Sequence, residues 1–549
     1  MKQMHLDIQS LGRSWQVELR DAPVTVGRQV GNVVELDDSQ ASRFHCVIEL
    51  GPQGWQVRDL GSRNGTRLNG KPVKLHPLRH NDLVQIGSST LRAVLRPELD
   101  EIVEDWNEEP ADDPLSAALD PSRSPESSLE RLADALPEQS IRLEDIVIRN
   151  ARGQVAHARQ GDNLGEAVVL LRMLLLVCFR TRASDIHIEP KADQYVVRIR
   201  VDGSMVDVAK LKRETGIRLA SVVKVLADID IAQKLVVQEG SFGVQVPDRR
   251  VDYRVSFTPS LHGQKGVIRV LDSSNSPRYL WDLGLPDGQF KVIDRVIKGD
   301  SGLILVCGPT GSGKTASLYA TLRSIDSAER NVVTIEDPIE IQLEGITQLP
   351  VREDQGNTFP VLLRSVLRQD PDVVLVGEIR DAETARVAMQ AAMTGHLVFS
   401  TLHARDTVGS VFRLIDLGIE PYLISSALSM VIAQRLVRVL CPACRLARRP
   451  NAEEVEKVQP MLAGKPLERV FGPRGCVKCL QTGFSGRRGV FEVLLINDDL
   501  RAVISKGNQP GEIWKALEDT NFRKLLQAGY SLVADGVTTL EEVERAVGF

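Results

Sequence analysis

The sequence predicts a multidomain protein: an all-β sandwich first, a mixed α/β segment next, and an α/β core around a phosphate-binding loop last. Three observations predict it. Residues 1–96 alternate apolar and polar positions with turns every ten residues or so. Leu303–Cys307 is a short apolar run that leads through glycines into helical spacing. Between them, helical and strand periodicities mix. At 549 residues, there is room for roughly three or four domains. Hydrophobic residues make up 42% and charged residues 26%, as in globular chains. A net charge of −5 argues against bulk nucleic-acid binding.

No secretory leader is legible in Met1–Ser10. The longest apolar run, Val168–Phe179, is too short to cross a bilayer and holds Arg172. It reads as a buried core helix, so any membrane contact is expected through partners. Of the seven cysteines, Cys46, Cys178 and Cys307 stand apart and four form two close pairs. That is no secreted disulfide framework, and the expected compartment is the reducing cytoplasm.

In the first segment, Trp15–Leu19, Cys46–Leu50 and Trp55–Arg58 alternate as half-buried strands do. Between the strands stand Gly27-Arg28, Ser42-Arg43-Phe44-His45, Asn64-Gly65-Thr66 and Asn69-Gly70. A hairpin turn accounts for Asn69-Gly70 but not for the Gly-Arg and Ser-x-x-His pieces. In that order, these pieces resemble the forkhead-associated (FHA) domain, a phosphothreonine-binding sandwich. The resemblance implies that Arg28 and Ser42 contact phosphate, that Asn64 holds the peptide backbone and that His45 braces the loop. A doubly charged phosphate suits an arginine and a hydroxyl on preformed loops.

Residues 97–140 read as a tether. Pro97–Asp113 contains no Lys or Arg, and prolines and serines follow. Low hydrophobicity and one-sign charge cannot offset the entropy of folding. Ser128–Leu136 has the spacing of a short amphipathic helix, marginal alone. The tether contains no threonine, so a phosphothreonine ligand is expected from another molecule.

In the middle segment, 141–275, Ala183–Pro190 leads into Tyr195–Gly203, where Arg198 and Arg200 share one strand face. Periodicity alone leaves two readings, a solvated charged face or a phosphate contact.

The last segment, 276–549, carries Gly308-Pro309-Thr310-Gly311-Ser312-Gly313-Lys314-Thr315. It fits G-x-x-x-x-G-K-[ST], placed between strand and helix as the motif demands. The glycines let backbone N–H groups turn inward on phosphate oxygens, backed by a helix N-terminus. Lys314 is expected at the β- and γ-phosphates, and Thr315 at Mg²⁺. Three further apolar runs end in Glu336-Asp337-Pro338, in Gly377-Glu378-Ile379-Arg380-Asp381 and in His403. Buried parallel strands gather ligands at their carboxyl ends, so these acids and this histidine are expected at the terminal phosphate.

Thr334–Glu340, Val374–Asp381 and Thr394–His403 resemble the Asp box, Walker B and His box of the type II secretion and type IV pilus assembly ATPases, the GspE/PilB family. SDIHIEP and RIRVDG of the middle segment match it too, and the likeness runs from about 164 to 549. It implies a RecA-like core in a ring-shaped homohexamer, with ATP bound between middle and core domains. It also implies phosphate contact by Arg198 and Arg200. It implies a general base and a Mg²⁺ ligand among the strand-end acids, expected as Glu336 and Glu378 in that order, with the two roles open to exchange, and His403 sensing the γ-phosphate. The resemblance further implies an inner-membrane platform protein as partner.

The chain departs from the family at Val222, often Arg. It departs again at Val237–Ser241, where Pro and Arg are lost, and at Gln264, usually Glu; Arg254, Ser256, Pro259 and Gly263 remain. A thinner cationic clamp predicts slow or partner-dependent turnover. Two C-x₂-C pairs, Cys441/Cys444 and Cys476/Cys479, lie on an insertion spanning 441–482. Four thiolates suit a closed, structural tetrahedral Zn²⁺. Retraction motors of this superfamily usually lack the insertion, which favours an assembly motor. The alternative is a phosphothreonine-reading adaptor whose ATPase is vestigial.

Overall fold

The computed structural model describes residues 4–95 except 11–12, 20–22, 30, 52–53 and 79–81. It also describes 125–136, 141–155, and 163–548 except 273, 275, 463, 508 and 519. The acidic stretch 97–113, and most of the expected tether, lie outside the described residues. The chain divides into two compact units, Met1–Val103 and Glu104–Phe549.

The first unit is a sandwich of a six-stranded and a five-stranded sheet. Alternation places Leu6, Ile8, Val26, Ile48, Val57, Ile86 and Leu91 between the sheets. Strand β1, Val24–Gly27, pairs in parallel with the short β2, Val34–Glu35, so that Gly27 stands opposite Glu35.

The first described element of the second unit is helix α1, Pro125–Ala135, which the sequence reads as marginal. Its apolar side, Leu129, Leu132, Ala133 and Leu136, is buried in the same core as α2, Asn163–Thr181. The Arg180 guanidinium of α2 donates to the Ala133 carbonyl and closes the contact. α2 is the expected core helix: Leu170, Leu171, Leu174, Leu175 and Val177 are fully buried. Among the described residues no helix is long and apolar enough to cross a membrane.

Under α2 lies a seven-stranded antiparallel sheet. It contains β3 (Asp185–Pro190), β4 (Gln194–Val201) and β5 (Ser204–Lys212). Helix α3, Arg213–Leu226, follows, and β6, Gly263–Leu271, pairs with the free edge of β3.

The core domain has a second seven-stranded sheet. Its apolar runs are β7 (Gly302–Cys307), β8 (Val332–Glu336), β9 (Val373–Val376) and β10 (Leu397–Leu402). Every residue of these four strands is buried, which is why they read as continuous apolar runs rather than alternating ones. They lie side by side in parallel in the order β8-β9-β10-β7. Beyond β7 the sheet continues through β11 (Leu428–Leu440), parallel to β7. It ends on β12 (Phe484–Leu495), antiparallel to β11. The cysteine-bearing insertion joins these last two strands.

Candidate nucleotide site and phosphopeptide site

The phosphate loop runs from the end of β7 to α4, Lys314–Arg323. Gly308, at φ +153, packs against β11: a Cβ there would stand 2.6 Å from the Gln434 carbonyl oxygen. Gln434 also accepts from the Ser317 hydroxyl at 2.8 Å, and the Arg435 guanidinium donates to the Arg405 carbonyl at 2.6 Å. The loop is thus backed by packed side chains of its neighbouring strand. Lys314 Nζ donates to the carbonyls of Gly308 and Pro309, at 2.9 and 3.1 Å. Burial lowers its pKa, while Glu378 lies within electrostatic reach and raises it. The Ser312 hydroxyl is buried and, among the described residues, has no hydrogen-bond partner. An amide-rich loop, a lysine and an orphaned hydroxyl fit a nucleotide's phosphates.

The next strand ends place the carboxylates. Glu378 follows β9, ion-paired with Arg380 and 3.8 Å from His403 Nε2. Its hydrogen-bonding partner Glu378 raises the Arg380 pKa. His403 follows β10, with its side chain 56% exposed, so its ring is open to a ligand. Thr401, two residues earlier, donates to the Gly377 carbonyl at 2.8 Å and ties the two strand ends together.

Glu336, at the end of β8, sits differently. It is buried and accepts hydrogen bonds on both oxygens. Thr334 Oγ1 and Gln348 Nε2 donate to Oε1 at 2.6 and 3.0 Å, and the Tyr319 hydroxyl of α4 donates to Oε2. The Glu340 backbone N–H in turn donates to the Tyr319 oxygen at 3.4 Å. Glu340 itself is the carboxylate that the sequence reading passed over. Burial and the neighbouring Glu336 raise its pKa, against the opposing charges of Arg254 and Arg269. The available signal was its place at the end of the Asp-box stretch, four residues after Glu336.

Arg198 and Arg200 do share one face of β4. Arg198 donates to Glu189 at 2.7 Å; Arg200 lies 3.6 Å from Asp185 and donates to the Gly203 carbonyl. Burial pushes the Glu189 carboxyl up, but hydrogen bonds from Arg198, Lys191 and Lys265 outweigh it and hold the group at about 2. Both guanidinium groups therefore bond within their own sheet. The family departures have local counterparts. Val222 is core on α3. Gln264 accepts from the buried Lys224 at 2.6 Å, alongside Gln238 at 2.8 Å, so neutral amides replace a carboxylate partner.

Cys441, Cys444, Cys476 and Cys479 converge, with all four Sγ atoms within 4.8 Å of one another. Three of the separations are 3.9, 3.8 and 3.7 Å. A tetrahedron with Zn–S of about 2.3 Å has S···S edges of about 3.8 Å. The donor set fits zinc. Its knuckle also reaches the middle domain: Leu480 is buried in that domain's core. The β4–β5 turn docks beside it. Asp202 accepts from the Gly486 N–H at 2.6 Å and lies 3.6 Å from Arg487, and Ser204 accepts from Arg438 at 3.0 Å.

In the first unit, the four FHA-type residues meet on three loops. At Gly27 a Cβ would stand 2.3 Å from the Arg43 carbonyl oxygen, so only glycine lets the loops close. The Arg28 N–H donates to the Ser42 carbonyl at 3.0 Å, leaving its side chain exposed. His45 is fully buried. Its Nδ1 accepts from the Ser42 N–H at 3.0 Å, which makes Nε2–H the donor to the Gly65 carbonyl at 3.3 Å. Burial lowers its pKa, so the neutral ring is favoured. Ser42 Oγ accepts from the Arg63 N–H, and Asn64 Nδ2 donates to the Gln40 carbonyl.

A family model described as type II/IV secretion system protein matches residues 161–545, and an FHA domain model matches 24–87. The type II secretion system protein E of Dickeya dadantii is 44% identical over 70% of this chain and 76% of its own. The type II secretion system protein HxcR of Pseudomonas aeruginosa is 38% identical over 90% of this chain and 92% of its own. The type IV pilus assembly ATPase PilB of Myxococcus xanthus is 38% identical over 68% of this chain and 67% of its own. In fold, the Legionella pneumophila ATPase DotB is similar, with a TM-score of 0.52 at 20% identity, covering 69% of this chain and 95% of that one. The chain belongs to the type II/IV secretion system protein family, as an ATPase with an FHA domain ahead of its ATPase region.

Proposed function

We propose that this protein is a cytoplasmic homohexameric motor that hydrolyses ATP to drive assembly of a type II secretion pseudopilus or a type IV pilus. It is recruited through phosphothreonine recognition by its FHA domain. One observation carries the reading. The phosphate loop, Glu336–Glu340, Glu378 and His403 all stand at the carboxyl ends of adjacent parallel strands in one sheet. Gly308–Thr315 hold the phosphates, and Lys314 moves from the loop carbonyls to the β- and γ-phosphates. Thr315 and Glu378 are the residues that would hold Mg²⁺, which would supply positive charge against the phosphate oxygens.

Glu340, rather than Glu336, takes the proton of the attacking water. Both oxygens of Glu336 are already occupied by hydrogen bonds, whereas burial and the neighbouring Glu336 make Glu340 bind protons more readily than an ordinary carboxylate. Glu336 then anchors the acidic loop through Tyr319. His403 senses the γ-phosphate beside Glu378. Arg198 and Arg200 exchange their own carboxylate partners for phosphate when the ring closes. The four cysteines hold a structural Zn²⁺, an insertion that favours an assembly motor over a retraction motor. The motor works against an inner-membrane platform protein and touches the membrane only through partners.

Light scattering of the full chain with ATP and Mg²⁺ tests the ring. A hexamer whose specific activity falls on dilution is expected, and a monomer with full activity at every concentration overturns it. For recruitment, wild type and Arg28→Ala are compared in pull-downs from phosphorylated and dephosphorylated lysate. Equal recovery of the same partners in all four conditions would show docking without phosphate reading.

A further inference from the structure

The loop face that holds Arg28 is part of a cavity of about 900 Å³. It is lined by Arg28, Glu35, Leu36, Asp37, Asp38 and Gln40, with Ser39 and Ser88. One cation therefore faces three carboxylates. Glu35 lies one register step from Arg28, because Gly27 and Glu35 are paired across β1 and β2. The Leu36 N–H donates to the Gly27 carbonyl at 2.9 Å and fixes that register.

The acidic wall is rigid. Asp38 is buried and accepts from the Gln40 and Ser88 N–H groups and from the hydroxyls of Ser88 and Ser89, all at 2.8–2.9 Å. At its far end, Gln40 is held by Asn64, itself an expected peptide contact. Glu35 and Asp37 are exposed, and among the described residues neither they nor Arg28 forms an ion pair. Their charges are free for a ligand. Around the rest of the site, the exposed loop charges are of the opposite sign: Arg43 on the Ser42–His45 loop and Arg63 beside Asn64.

A phosphopeptide held by Arg28 sets its flanking residues beside this wall, where an acidic side chain meets repulsion and a basic one attraction. We propose that the FHA domain selects phosphothreonine flanked by a lysine or arginine, whose side chain enters the Glu35/Asp37 side of the cavity while Arg28 takes the phosphate. This rests on the phosphothreonine reading of the site and adds its sequence specificity. Asp38 shapes the wall; Glu35 and Asp37 make the contact.

The test is fluorescence anisotropy with the full chain and three labelled peptides. One carries phosphothreonine between lysines, the second phosphothreonine between glutamates, and the third is the lysine peptide without phosphate. The first is expected to bind more tightly than the second by on the order of tenfold, the scale of two exposed ion pairs. In the Glu35→Gln/Asp37→Asn double variant, whose changes are exposed and leave the buried Asp38 network intact, the two phosphopeptides are expected to bind alike. Equal affinity in the wild type overturns the selectivity. An unchanged preference in the double variant overturns the assignment to Glu35 and Asp37. If the unphosphorylated lysine peptide binds as well as the first, or if no peptide binds, the phosphothreonine reading itself fails and the selectivity fails with it.

Discussion

Replacing Glu336 and Glu340 separately by glutamine distinguishes a base from an anchor. At Glu336 the amide oxygen of Glu336→Gln can still accept from Thr334 and Gln348, while its NH₂ meets the Tyr319 oxygen. One charged acceptor is lost from a buried cluster. The cost is about 1–3 kcal/mol of local stability, with modest loss of turnover. In Glu340→Gln the fold keeps its contacts, but the attacking water loses its proton acceptor. General base removal costs about 10²–10⁴ in kcat, or roughly 3–5 kcal/mol at 1.36 kcal/mol per tenfold. The assay is steady-state phosphate release by the full chain, with nucleotide affinity measured alongside. Glu340→Gln should bind ATP normally and hydrolyse it at least a hundredfold more slowly. Because burial and Glu336 raise the Glu340 pKa, the acid limb of the kcat profile should lie above the ordinary carboxylate range and vanish in that variant. A hundredfold loss in Glu336→Gln, with near-normal turnover in Glu340→Gln, would refute the reasoning and return the role to Glu336.

Cys476→Ser should raise hydrogen exchange across the 441–482 insertion and also at the β4–β5 turn, since Leu480 packs in the middle-domain core and Gly486 and Arg438 bond the turn. Chelation should do the same to the wild type, and metal analysis should find one zinc per chain. His45 has its pKa lowered by burial, so its contribution to stability is complete above the ordinary histidine value of about 6.5 and is lost as pH falls below it. Hydrogen exchange, corrected for intrinsic rates, should show protection at 41–66 falling ahead of the motor region between about pH 6.5 and 5; parallel loss across the chain would contradict this. Gly27→Val should abolish phosphopeptide binding, because its Cβ would stand 2.3 Å from the Arg43 carbonyl oxygen. ATPase activity of the same variant should be unchanged.

The phosphate loop and the strand-end acids were legible because each is a local pattern. A motif spans eight residues, and a strand buried on both faces reads as an unbroken apolar run. The FHA loops were legible for the same reason, as short pieces in a fixed order. What escaped was decided by contacts far apart in the chain. Helix α1 reads as marginal because its apolar side is covered by α2, about forty residues on. Arg198 and Arg200 looked free because Glu189 and Asp185 become their neighbours only when β3 and β4 pair. The partners of Glu336, Tyr319, Thr334 and Gln348, are not legible in the sequence, because their hydroxyl and amide groups carry no strand-end signal. The cysteine spacing signals the four-cysteine cluster but not its docking on the middle domain. That rests on Leu480, an apolar residue like any other in the sequence.

The central claim is that Gly308–Thr315 and the acids at the neighbouring strand ends form a working hydrolytic site. Phosphate release by purified Lys314→Ala, beside wild type, tests it most directly. Among the described residues the Lys314 side chain bonds only loop carbonyls, so the variant should keep the wild-type fold by circular dichroism and thermal melting. It should lose hydrolysis to background, because the β- and γ-phosphates lose their neutralising charge. Turnover near the wild-type level in the folded variant would contradict the account.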